Sequence, residues 1–131
     1  MGGRWNLKGL ATIYLAFPED TCVAEFRRMA RGQGRGMASF LPRDLHVIRC
    51  LALETLDLSD RGARRDVGIT LRDISSRDWA VCQEVGGTVA YLGFQAVLAP
   101  SASGAGNVLA VYEQNLRRGQ LTVIDTRPMA P

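Results

Sequence analysis

The apolar residues of this 131-residue chain come in short runs, and the runs change period along the chain. Leu10-Ala-Thr-Ile-Tyr-Leu-Ala16 is β-branched and aromatic and reads as a strand. From Pro18 to Arg31 the pattern becomes helical, with Cys22, Phe26 and Met29 able to share a face. Glu19 and Asp20 at its start and Arg27, Arg28 and Arg31 at its end complement a helix dipole, and Gly32 is a natural stop. Leu45 to Leu58 is strand-like, and Ser59 to Asp66 reads as polar surface loop. A second helix is expected near Ser76, an N-cap, with Asp78 in the first turn. It would carry Trp79, Cys82, Val85, Val89 and Leu92, be interrupted at Gly86-Gly87 and end near Gly93. Ala96–Ala99, Val108–Glu113 and Leu121–Asp125 are strands, and Thr126 to Pro131 is a loose tail. Strands mixed with two to four helices make the chain α+β, with small mixed sheets. The length fits one domain spanning residues 1–131.

Several classes are excluded early. No apolar run approaches the ~20 residues of a membrane span. The polar, Gly-rich start has no signal-peptide core, so the cytoplasm is the default compartment. Cys22, Cys50 and Cys82 are far apart and no CxxC occurs, so they read as small buried or half-buried thiols. With His46 the sole histidine, a metal site is not expected. Net charge is +3, and fifteen of sixteen basic residues are Arg. They are scattered and not interleaved with aromatics, which suits a small anionic substrate or acidic partner better than nucleic acid.

A few residues carry possible chemistry. Arg4, between Gly2-Gly3 and Trp5-Asn6, is either a diphosphate clamp or a surface arginine. Glu25 borders the apolar stripe of the first helix; such a carboxylate is functional or paired, here with Arg28 at i+3. Ser101 lies in a strand-end loop, where a hydrogen-bonding role fits better than a nucleophile needing His46. Asn107 caps, turns or binds. His46 reads as a half-buried structural residue and Trp79 as core. Gln83, one turn on, is surface or supports a site from behind. Gly32-Gln-Gly-Arg-Gly36 reads as a plain loop, because a phosphate cradle would follow a strand.

Taken together, Gly2 to Asn6, Tyr14-Leu15-Ala16, Ala24-Glu25, Asp78-Trp79 with Gln83, Pro100-Ser101-Ala102 and Asn107 resemble the RES domain, named for its Arg, Glu and Ser. The resemblance implies a fold like that of ADP-ribosyltransferase toxins. It implies the toxin of a bacterial toxin–antitoxin pair whose partner is an Xre-type helix-turn-helix antitoxin. It also implies cleavage of NAD+ at the nicotinamide–ribose bond, by water or by inorganic phosphate as co-substrate, with no resident cofactor. The alternatives are a mono-ADP-ribosyltransferase acting on a protein, or an inactive truncated domain that only binds its partner. The catalytic residues implied are Arg4, Tyr14, Glu25 and Ser101. NAD+ binding would involve Arg4, Trp5, Asn6, Tyr14, Ser101 and Asn107, with Trp79 and Gln83 behind them. Family members usually carry some tens of residues before the Gly-Gly-Arg motif, so this chain reads as lacking that segment. An exposed sheet edge would follow, which favours association and leaves a homodimer open.

Overall fold

The computed structural model describes residues 2–36, 40 and 43–129. Its elements are β1 (Thr12–Phe17), α1 (Glu19–Gly32), β2 (Asp44–Cys50), β3 (Thr55–Asp57), α2 (Arg61–Val67), α3 (Leu71–Ser75), α4 (Ala80–Tyr91), β4 (Ala96–Pro100), β5 (Asn107–Tyr112) and β6 (Leu121–Pro128). A four-stranded sheet runs β1-β5-β4-β3, and β2 pairs with β6 in a separate ribbon. Among the described residues, only the β3–β4 pair is parallel. The α+β class expected from the sequence is what forms.

The central strands explain the sheet's stability. Ala-Val-Leu-Ala in β4 and Val-Leu-Ala-Val-Tyr in β5 are almost continuously apolar, as strands covered on both faces must be. One face, with Val97, Ala99, Ala110 and Tyr112, packs on Ile74, Cys82, Val89 and Ala90 of α3 and α4. The other, with Ala96, Leu109 and Val111, meets Leu53, Leu116 and Leu121 at the foot of the ribbon. Gln95 ties the ends of this sheet to the ribbon: its amide accepts from the Glu54 N–H at 2.9 Å and donates to the Asn115 carbonyl at 2.9 Å and to the side-chain oxygen of Gln120, just before β6, at 2.7 Å. Being buried, these groups need such partners.

Several sequence expectations require correction. Leu45–Leu58 is not one strand. Ala52 adopts φ 49°, and the chain leaves the ribbon there to enter the main sheet as β3. Ser59–Asp66 is not loop, because Asp60 caps α2 by accepting from the Ala63 N–H and Gly68 closes it in the left-handed region. This helix buries none of its residues, so it carries no apolar stripe to betray it. Thr70 and Asp73 form a reciprocal capping box that starts α3. Ser76 therefore ends α3, and α4 begins at Ala80, whose N–H is held by the Asp78 carboxylate at 3.0 Å. Gly86-Gly87 does not interrupt α4. In α1 the buried residues are Thr21 and Ala30, while Met29 is exposed. His46 is exposed and bonds Thr126 at 3.0 Å. The supposed loose tail is strand through Pro128, paired with Asp44–Val47, and residues 130–131 lie outside the described residues. Cys22 and Cys50 are half-buried and Cys82 is buried, as expected.

Candidate active site

Gly3-Arg4-Trp5-Asn6 folds into a tight turn in which Gly3 N–H donates to the Asn6 carbonyl at 3.0 Å. Four residues from three elements grip it. The Tyr14 hydroxyl of β1 accepts from the Trp5 N–H at 2.9 Å and donates to the Asn6 side-chain oxygen. Gln83 of α4 donates to the Gly3 and Asn6 carbonyls at 2.9 and 3.3 Å. Tyr112 of β5 donates to the Trp5 carbonyl at 3.1 Å. Gly86 of α4 lets that same carbonyl lie against the helix, since a Cβ there would sit 1.9 Å from it.

The grip has a consequence for the sequence assignments. Trp5 is only 2% exposed and sits in the core, so its ring offers no face to a substrate. The Asn6 amide is spent on Gly3, Tyr14 and Leu10. Both residues lie under the site rather than in it, which corrects their assignment as NAD+ contacts. Gln83 holds the turn through its bonds to the Gly3 and Asn6 carbonyls.

Arg4 stands out from the turn. One guanidinium nitrogen donates to the Ser76 carbonyl at 2.6 Å, and the group lies 5.3 Å from the centre of the Trp79 ring. Trp79 is therefore no core residue. It is 38% exposed at the head of α4, its ring against the cation. Burial lowers the Arg4 pKa from the ordinary arginine value; nearby Cys82 and Glu25 raise it and the Arg28 charge lowers it. Arg4, Glu25 and Arg28 thus share one electrostatic neighbourhood.

Glu25 comes to this place on α1, and Ser101 comes on the loop after β4. The Ser101 hydroxyl donates to the Glu25 carboxylate. Ser103 supports it: its N–H donates to the Ser101 oxygen at 3.1 Å, and the two hydroxyl oxygens lie 2.7 Å apart. The loop is fastened to the start of α1 by Thr21, which donates to the Ala105 carbonyl at 3.1 Å. Gly106, at φ +75°, allows that approach. Glu25 makes no ion pair with Arg28, although their spacing permits one; the ion pairs among the described residues join Arg127 to Glu19 and Asp125.

Tyr14 as a residue is 40% exposed, while its hydroxyl is occupied by the turn. Burial, the largest influence, raises its pKa to about 12, against the opposing effects of the Trp5 N–H bond and the Arg4 charge. The hydroxyl is thus a fixed donor to Asn6 at neutral pH. Asn107 opens β5 opposite Phe17 and Pro100, beside the Ser101 loop. Ser103, Thr21, Arg28 and Gly86 were given no part in the site by the sequence reading. A glycine inside an otherwise regular apolar helix was the available signal for Gly86. Among the described residues, no group of three or more His, Cys, Asp or Glu is placed to hold a metal.

The turn's Arg4, the helix's Glu25 and the loop's Ser101 are the residues that the resemblance to the RES domain singles out. The family pattern matches residues 1–129, and the chain belongs to the RES domain family. It is similar to the NAD(+) phosphorylase MbcT of Mycobacterium tuberculosis H37Rv and that of Mycobacterium bovis. Each is 38% identical to it over 133 residues, covering 99% of this chain and 72% of the relative. Its fold is similar to one in the crystal structure of the M. tuberculosis MbcT–MbcA toxin–antitoxin complex. There the TM-score is 0.86 and identity 37%, covering 98% of this chain and 72% of that one. Among the described residues, no helix is long and apolar enough to cross a membrane.

Proposed function

We propose that this chain is the toxin of a bacterial toxin–antitoxin pair and destroys NAD+ by cleaving its nicotinamide–ribose bond, with inorganic phosphate as the acceptor. The observation that carries the reading is the Ser101–Glu25 hydrogen bond, set in the electrostatic neighbourhood of Arg4. The kinship to NAD(+) phosphorylases supports phosphate over water as acceptor.

Breaking the bond between C1′ and the nicotinamide nitrogen leaves positive charge on the ribose. A carboxylate ~4 Å from that charge, at an effective dielectric of about 20, stabilises it by about 4 kcal/mol, roughly a thousandfold in rate. That is the role of Glu25, and Ser101 aims the carboxylate. Arg4, committed to Ser76 on one side, offers its remaining N–H groups to the diphosphate. The ring of the exposed Tyr14 stacks on nicotinamide or ribose. Asn107 and Ser101 border the same space. The partner is an antitoxin, of the Xre helix-turn-helix type that the family resemblance implies. A protein with this activity works in the cytoplasm, where NAD+ is abundant.

The test is nicotinamide release from NAD+ by the purified protein, with and without phosphate. The wild type should release nicotinamide in a phosphate-dependent manner. Glu25→Gln should lower kcat about a hundred- to a thousandfold, in line with loss of one electrostatic stabiliser. Full turnover by Glu25→Gln would overturn the assignment.

A further inference from the structure

Glu25 and Arg28 are three residues apart on α1 and so share a face, one turn apart. They form no ion pair, and the Glu25 carboxylate instead accepts from Ser101. Arg28 is exposed, and its guanidinium makes no ion pair or hydrogen bond with another described residue. The arginines of the following segment are engaged elsewhere. Arg35 lies 4.3 Å from the centre of the Phe40 ring, and Arg43 donates to the Phe40 carbonyl at 3.2 Å. Arg4 is held by Ser76. Arg28 is nevertheless close enough for its charge to be felt at Arg4. An uncommitted guanidinium next to a functional carboxylate calls for an anion between or beside them.

Phosphorolysis supplies that need. A phosphate dianion must reach C1′ close to the negative charge of Glu25, and without a neighbouring cation the two repel. We propose that Arg28 is the phosphate-binding residue: its guanidinium holds inorganic phosphate beside Glu25 as the nucleophile, while Arg4 holds the diphosphate of NAD+. This rests on the NAD+-cleaving reading above. In the step, the C1′–N bond breaks and its electron pair returns to the ring nitrogen, releasing neutral nicotinamide. A lone pair of a phosphate oxygen forms the new C1′–O bond. The product is ADP-ribose 1″-phosphate, and no proton has to be supplied to the leaving group.

The experiment compares wild type, Arg28→Gln and Arg28→Lys by nicotinamide release over a range of phosphate concentrations, then over a range of NAD+. Calorimetric titration of inorganic phosphate into each protein runs in parallel. Losing a charge-assisted bidentate contact should raise the KM for phosphate about ten- to a hundredfold in Arg28→Gln, leave the KM for NAD+ nearly unchanged, and shift product toward ADP-ribose. Arg28→Lys should recover part of the loss. An unchanged KM for phosphate, or equal rises in both KM values, overturns the proposal; the latter would put Arg28 on the diphosphate of NAD+. Should the wild type cleave no NAD+, the functional reading fails by itself. Phosphate binding that Arg28→Gln weakens would then still support the anion site, and binding that is absent or unaltered by the variant would overturn it.

Discussion

The Ser101 hydroxyl donates to the Glu25 carboxylate across 76 residues of sequence, joining the loop after β4 to the middle of α1. A carboxylate can only accept, so the serine is the donor, and Ser103 steadies it by donating its N–H to the Ser101 oxygen at 3.1 Å. A hydrogen bond to a charged group contributes about 1.5–3 kcal/mol, so Ser101→Ala should lower kcat about ten- to a hundredfold. The two residues act as a unit, so Ser101→Ala should cost little more once Glu25 is Gln. Steady-state kinetics on the two single variants and the double variant check this. Fully additive losses would mean that Ser101 acts independently of the carboxylate.

Adjacent glycines on α4 should respond to alanine in opposite directions. At Gly87 a Cβ meets nothing within 4 Å, so Gly87→Ala gains helix propensity and should stabilise the protein by about 0.5–1 kcal/mol. At Gly86 the same Cβ would lie 1.9 Å from the Trp5 carbonyl oxygen and 2.7 Å from the Tyr112 hydroxyl. Overpacking against backbone costs about 1–3 kcal/mol or more and outweighs the propensity gain. Gly86→Ala should therefore lower Tm and, by displacing the turn that carries Arg4, depress turnover further than its stability loss explains. Thermal melts beside kinetics for both variants decide it.

Tyr14 gives a pH prediction. Its folded pKa of about 12 lies above the ordinary value of 10, mainly through burial. Tyr112 is raised beyond that, also mainly by burial. A raised folded pKa means that the unfolded chain releases its proton first. The contribution to stability is complete below pH 10 and is lost as pH rises toward 12. Denaturant melts across that window should show wild-type stability falling. Tyr14→Phe should fall less steeply, from a start lowered by about 1–3 kcal/mol because the Trp5 N–H and Asn6 oxygen lose their partner. Equal slopes in the two proteins would rule out Tyr14 as a contributor.

These relationships show which parts of the site were legible in the sequence. Residue type and local setting left Arg4 and Glu25 each open to a bland reading, and only their order along the chain together with Tyr14 and Ser101, through the resemblance to the RES domain, singled them out. β1, α1, β4 and β5 were legible because their apolar runs are unbroken and of one period. Trp5 and Asn6 misled because ligand contacts and the residues that brace a turn look alike when read in order. Trp79 misled because its size suggests core, while its position at the head of α4 leaves it facing a cation. α2 escaped notice because it buries no residue fully and packs only Ala63 on the core, leaving Asp60 and Gly68 as its signals. Pairing with Arg28 stood as the alternative to a functional Glu25, since helical spacing cannot reveal that Ser101 arrives from elsewhere in the fold.

Gly106 is where the Ser101 loop is fitted to α1, and it separates clash from strain. A Cβ there would sit 1.9 Å from the Thr21 hydroxyl oxygen and 2.7 Å from the Phe17 carbonyl oxygen, at φ +75°. Gly104 has a similar left-handed backbone, φ +95°, but open space around it. Gly104→Ala should therefore pay only the left-handed penalty, about 1–2 kcal/mol. Gly106→Ala adds a steric conflict with α1 that can be relieved only by moving the loop, and with it Ser101, away from Glu25. Its kcat should fall close to that of Ser101→Ala, while Gly104→Ala stays within a fewfold of wild type. Thr21→Val, which loses only the bond to the Ala105 carbonyl, should lie between them, with about 1 kcal/mol of stability lost. Kinetics and melts on the three variants check the order. Equal kcat values for Gly104→Ala and Gly106→Ala would show that the loop's seat on α1 does not govern the Ser101–Glu25 contact.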